Sequence, residues 1–130
     1  MTVQAWVDAY ADAWRNRDAD AAASLFADDS LYREHPLQEP YRGVEGVRSY
    51  WANATATQDR VDVRMGRPVE SSDGRRAAVE FWVRMLNSGN EVTLIGILFL
   101  RFTNDGRCAD LRETWLFEAG SHAPHDGWGS

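Results

Sequence analysis

The stretch Glu91-Val-Thr-Leu-Ile-Gly-Ile-Leu-Phe-Leu-Arg-Phe102 constrains the fold of this chain more than any other. Side chains of a strand alternate between two faces. Here Leu94, Gly96, Leu98 and Leu100 fall on one face, and Ile95, Ile97 and Phe99 on the other, so both faces need cover. Turn signals bracket the strand: Asn87-Ser-Gly-Asn90 before it and Thr103-Asn-Asp-Gly106 after it. On the far side of the first turn, Val79, Phe81, Val83 and Met85 alternate with Glu80, Trp82 and Arg84; beyond the second, Cys108 to Phe117 closes the sheet. From Arg60, Val61, Val63 and Met65 alternate with Asp62 and Arg64 to give one more strand.

Upstream the period changes to that of a helix. Trp6, Tyr10, Ala13 and Trp14 line one helical face behind a cap at Thr2, Ala21 to Phe26 predicts a short second helix, and Val44, Val47, Tyr50 and Trp51 mark a third that fades near Thr55. Leu31 to Glu34 reads as extended, and Pro36 and Pro40 interrupt regular structure after it. The expected architecture is α+β, with three N-terminal helices packed on one face of a strongly curved antiparallel sheet and an apolar pocket between the layers. The other face would leave Trp82, Ile95, Ile97 and Phe99 uncovered, which predicts a homodimer through that outer face.

With 130 residues the chain suits one domain, read as residues 1–119 with a loosely held tail at 120–130 containing Gly120, Pro124, Gly127 and Gly129. A net charge of −6 and no basic run argue against nucleic acid. The N-terminus has acidic residues where a signal peptide needs a basic start, and no segment reaches membrane-spanning length, so a cytoplasmic location without membrane attachment is expected. The single Cys108 excludes an internal disulfide and a cysteine-rich zinc site, and reads as a buried small hydrophobe. All basic side chains are arginine, so neither a Schiff base nor a lysine base is available. There is no phosphate loop, dinucleotide glycine fingerprint or nucleophile elbow, which points to chemistry without a cofactor. His122, His125 and Asp126 are spaced as metal ligands could be, but Pro124 lies between the histidines and no second cluster supports them, so no metal is expected.

The order of elements resembles the nuclear transport factor 2-like superfamily, a cystatin-like cone fold that includes ketosteroid isomerases, SnoaL-like polyketide cyclases and limonene epoxide hydrolases. The phrases that carry the likeness are Tyr10 to Trp14 with Asp18-Ala-Asp20, Ser24-Leu-Phe-Ala-Asp-Asp-Ser30, Glu34-His-Pro36, Gly43 to Trp51, and Leu100-Arg-Phe with Asp105-Gly106. The resemblance to ketosteroid isomerases implies an oxyanion-binding tyrosine at Tyr10 and a proton-shuttling residue at His35. It places Leu98, which can donate nothing, where that family has a second acidic donor. It also sets Phe81, Met85, Leu98, Leu100, Glu113 and Trp115 on the pocket side.

Glu113 is then the one carboxylate on an apolar face, and must be paired, hydrogen-bonded or protonated. His35 is the candidate general base, Glu113 its orienter or a proton donor, and Tyr10 the oxyanion donor. Trp14, Tyr50, Trp51, Phe81, Met85, Leu98, Leu100 and Trp115 form the expected substrate pocket for a small apolar or aromatic molecule. The leading reading is an isomerase, cyclase or lyase that moves a proton next to a carbonyl. The alternative is a binding or dimerisation module without chemistry. Epoxide hydrolysis, the third reading, needs an Asp-Arg-Asp set that the pocket positions do not supply.

Overall fold

The computed structural model describes residues 1–130. Helix α1 (Val3–Arg15) starts where expected, because the Thr2 hydroxyl accepts the Ala5 N–H at 3.1 Å, and it buries Trp6, Tyr10 and Trp14 on one face. Helix α2 (Ala19–Ala23) is capped by Asp18 and is shorter than its alanine run suggests. Leu25 and Phe26 leave it for the sheet. The Leu25 carbonyl accepts both the Cys108 N–H and the Trp6 indole N–H, each at 2.9 Å, and these partners outweigh local helix propensity.

Strand β1 (Phe26–Arg33) and the short β2 (Tyr41–Arg42) precede helix α3 (Gly43–Thr55). At Gly43 φ is +69° and an added Cβ would stand 2.9 Å from the Asp28 carbonyl, so the helix entry excludes any larger residue. Strands β3 (Gln58–Met65), β4 (Val69–Glu70), β5 (Arg76–Asn87), β6 (Asn90–Phe102) and β7 (Cys108–Ala119) complete a sheet ordered β2-β1-β7-β6-β5-β3, with β4 on β5. The hairpin β5–β6 and the pair β6–β7 keep the alternation read from the sequence. The sheet is not wholly antiparallel: β1 runs parallel to β7, with Tyr32 opposite Leu111. A parallel pair needs a long connection, and here the connection is the rest of the domain, so no turn motif announces it. The helices cover the inner face, where Val79, Phe81, Val83, Leu98 and Leu111 are fully buried. Each such side chain contributes roughly 1.5–3 kcal/mol of transfer free energy.

The tail, expected to be loosely held, is fastened over the outer face. Thr93 donates to the Gly120 carbonyl (2.7 Å), the Trp82 indole donates to His122 O (2.7 Å), and the Arg67 N–H donates to Gly129 O (2.6 Å). Trp128 packs edge-on against Trp82 at 5.8 Å, and the Arg64 guanidinium lies over it at 5.6 Å. Glycines give this segment its bends rather than its freedom. The tail therefore occupies part of the surface expected to carry a second copy: Trp82 and Ile95 are partly buried, and only Ile97 and Phe99 of the four stay exposed. Trp128→Ala is expected to cost about 1–2 kcal/mol and to red-shift tryptophan emission as Trp82 meets water, measured by urea unfolding followed by fluorescence. No helix is long and apolar enough to cross a membrane.

Candidate functional site

The odd residues of β7 face the helices, which turns Glu113 inward opposite Leu98 on β6. Two tyrosines meet it. Tyr32 of β1 donates to Glu113 Oε2 at 3.1 Å, and Tyr50 of α3 donates to Oε1 at 3.2 Å, with the two phenol rings 4.6 Å apart. Tyr10 of α1 lies behind them, its hydroxyl 3.2 Å from that of Tyr32. Tyr32 gives its one proton to the carboxylate, so Tyr10 must donate to Tyr32. The chain runs Tyr10 to Tyr32 to Glu113, with Tyr50 closing from the other side.

Burial raises the Glu113 pKa to about 7; the two phenol hydrogen bonds pull it down only in part, and the charge of Glu34 pushes it further up. The tyrosines move in the same direction, each held well above the usual phenol range by burial and then by the adjacent Glu113 charge. At neutral pH the carboxyl exchanges between its two forms while the phenols keep their protons. Such tuning is common where an acid or base must work near pH 7.

Glu113 borders a cavity of about 340 Å³ walled by Trp14, Tyr32, Tyr50, Trp51, Phe81 and Met85, with Leu94, Trp115 and Phe117 from the sheet. Polar groups also line it, namely Glu34, Asn53, Thr57, Gln58 and Asn87. The Trp14 indole N–H donates to Gln58 Oε1 at 3.0 Å. Since an indole can only donate, the carboxamide orientation follows, and the Gln58 amide nitrogen is left as a donor without a protein partner in the cavity wall.

Of the expected pocket residues, Trp14, Tyr50, Trp51, Phe81, Met85 and Trp115 line the cavity with Glu113. Leu98 and Leu100 do not: Leu98 is fully buried in the core, and Leu100, 3% exposed, borders the broader hollow instead, so Leu94 is the residue of β6 that reaches this cavity. Tyr10 is 1% exposed and touches the site only through Tyr32. His35 is exposed in the turn after β1, and its Nδ1 accepts the Leu37 N–H at 3.1 Å. Neither Glu113 oxygen receives a hydrogen bond from it, and it is not among the cavity's walls. Replacing His35 by alanine is expected to leave stability within about 0.5 kcal/mol, measured by thermal unfolding.

Sequence reasoning missed Tyr32, Gln58 and Phe117. Tyr32 carried a signal, being an aromatic inside a stretch read as extended, but its partners arrive from elements far away in the chain. A broader hollow of about 1100 Å³ spans Ala78, Phe99, Arg101 and Arg112 of the outer face and reaches Leu100 and Glu113. Glu113 borders this hollow too, but the aromatic walls and the tyrosines that meet the carboxyl, Tyr32 and Tyr50, line only the smaller cavity. No three His, Cys, Asp or Glu side chains are grouped as a metal site. Cys108 is fully buried, and burial pushes its thiol up to about 12, leaving it inert at neutral pH.

A helix-covered, mixed sheet closing on an aromatic cavity with one tuned carboxyl defines a small-molecule pocket protein of the cone-shaped α+β class. The chain belongs to the SnoaL-like domain family, whose pattern matches residues 7–111. The match stops two residues before Glu113. Among solved structures, the chain is similar to SalBIII, an epoxide hydrolase/cyclase-like enzyme in pyran ring formation in the polyether salinomycin, at 19% identity and a TM-score of 0.76 over 87% of this chain and 89% of that one. It is similar too to a protein of ketosteroid isomerase-like fold from Catenulispora acidiphila, in complex with trimethylamine, at 22% identity and a TM-score of 0.75 over 88% and 86% of the two chains. RV0760c from Mycobacterium tuberculosis gives 16% identity and a TM-score of 0.74 over 88% and 95%. These likenesses concern the fold. No curated protein matches the chain by sequence.

Proposed function

We propose that this SnoaL-like domain is a cofactor-independent enzyme that transfers a proton next to a carbonyl on a small, flat, apolar or aromatic substrate, by isomerisation, cyclisation or elimination. The observation that carries the reading is Glu113, a carboxyl raised to about 7 by burial beside an aromatic cavity. In its ionised form it takes the proton; the acid so formed returns it at the neighbouring position. Tyr32 and Tyr50 hold the carboxyl between these steps. The oxyanion role passes from Tyr10, whose hydroxyl is committed to Tyr32, to the Gln58 amide nitrogen. The general-base role passes from His35 to Glu113.

The test is a panel of enolisable aryl ketones followed by solvent deuterium uptake. Turnover is expected to rise through a single ionisation near pH 7 and to be unchanged in His35→Ala. Binding without deuterium uptake would instead support the second reading, a non-catalytic carrier of an apolar metabolite. One observation favours that alternative: all three tyrosine hydroxyls at the Glu113 cluster already donate to protein groups, so only amide and indole N–H groups, the weaker acids, are left to polarise a carbonyl.

A further inference from the structure

Gln58 reaches the cavity against the alternation of its own strand. Val61, Val63 and Met65 of β3 pack on the core, and an unbroken period of two would send Gln58 to the outer face. The register with β5 slips instead: Asp59 stands opposite Leu86 but Asp62 opposite Arg84, so Arg60 and Val61 together oppose the single Met85. This is a β-bulge, and it holds Arg60 at a φ of +49°, a left-handed conformation uncommon for arginine. The extra residue reverses the parity upstream of it. Gln58, directly opposite Asn87, therefore points with it to the inner face, on which Phe81, Val83 and Met85 precede Asn87 along β5. Backbone strain of this kind gathers at functional sites, and bulges there re-aim a side chain.

The two carboxamides are oriented alike. The Trp14 indole occupies Gln58 Oε1, and the Thr57 hydroxyl donates to Asn87 Oδ1 at 2.6 Å, a length typical of O–H···O and short for an amide N–H donor. Each oxygen is taken by a protein donor, so the free end of each side chain is its NH2, and neither nitrogen has a protein partner. Both side chains wall the cavity, with Gln58 only 8% exposed. The backbone around them is pinned as well: Arg17 Nη1 donates to the Gln58 carbonyl and the Ser88 N–H to the Thr57 carbonyl, both at 2.8 Å. The donors are thus in place before a ligand arrives.

We infer that Gln58 and Asn87 form a two-amide clamp for one uncharged carbonyl oxygen of the ligand, whose two lone pairs accept one N–H from each side chain. The inference rests on the proposed reading for its cavity and adds the chemical class that the cavity selects, a flat neutral aryl ketone. Anions are excluded by charge: no arginine or histidine walls the cavity, whereas Glu34 and Glu113 do. A hydrocarbon of the same shape is rejected for another reason, since it would leave the Gln58 donor dry and unpaired.

Equilibrium dialysis at pH 7 with three probes on one ring system tests the clamp: 2-acetonaphthone, 2-ethylnaphthalene and 2-naphthoate. The wild type is expected to bind the ketone about tenfold or more tightly than the hydrocarbon, and the carboxylate more weakly than either. Asn87→Ala, at a partly exposed position, and Gln58→Glu, which keeps an oxygen for the Trp14 indole, should each lose most of the ketone preference. Neither should change hydrocarbon binding by more than about twofold. Equal affinity of the wild type for ketone and hydrocarbon, tight binding of the carboxylate, or a ketone preference that survives both substitutions would each overturn the inference. Solvent deuterium uptake alongside any of these results would sink the clamp and leave the proposed catalysis standing. Ketone preference without uptake would do the reverse.

Discussion

Glu113→Gln is expected to lower turnover by about 10²–10⁴-fold and, at the same time, to make the protein more stable above neutral pH. Glutamine keeps the shape and can still meet both tyrosines, but it can neither take nor return a proton. The stability effect comes from the raised pKa. An ordinary glutamate near 4.5 in the unfolded chain becomes a group near 7 in the folded one, so between these values the folded state holds the proton more tightly. Its contribution is fully present below about pH 4.5, falls as pH rises, and is lost above about pH 7. Allowing for the partial exposure of the residue, the ionised carboxylate costs about 2–3 kcal/mol at pH 8. Urea unfolding of both proteins should therefore give curves that converge at pH 4.5 and separate towards pH 8, with the glutamine variant on top. Parallel curves would remove the buried-carboxyl account, and undiminished turnover would remove Glu113 from the chemistry.

Gly96→Ala should be the most damaging small substitution in the sheet, lowering stability by about 3 kcal/mol and the melting temperature by roughly 10 °C. A Cβ at this position would collide with the Thr114 carbonyl on one side and with the Phe81 ring on the other. Neither can yield cheaply. Thr114 is fixed in the β6–β7 ladder, and Phe81, 1% exposed, packs against Trp14 at 5.6 Å between ring centroids. Because Phe81 lines the cavity, ligand affinity should fall along with stability. Calorimetric melting beside titration with the best-binding aryl ketone measures both. A melting temperature within about 2 °C of wild type would show that the ring moves aside, and the rigid-floor argument would fail.

Much of this molecule is legible in its residues taken in order. Periodicity places α1, α3, β6 and β7 to within about two residues and finds the middle of β5, because each buries one face or both and its pattern reports that directly. Glu113 stands out once the resemblance to ketosteroid isomerases sets the faces of the last strand, as a carboxylate on a side that is otherwise apolar. His35 and Tyr10 illustrate the opposite case. A histidine before a proline looks the same in sequence whether it enters a pocket or a solvent-facing turn, and a tyrosine on an apolar helix face does not disclose what its hydroxyl meets. Tyr32, the nearest polar partner of Glu113, is separated from it by 81 positions.

Local period and side-chain chemistry suffice for the layers and the strand alternation, and with the family resemblance for a lone inward carboxyl, so the order of residues was enough for these. Three other features emerged only when the chain was folded: β1 lies parallel to β7, two tyrosines backed by a third and not a histidine hold Glu113, and the tail packs on Trp82. One cause is common to all three. Each depends on which distant segments share a boundary, and desolvation, hydrogen bonding and edge exposure are properties of that shared boundary rather than of any stretch of chain.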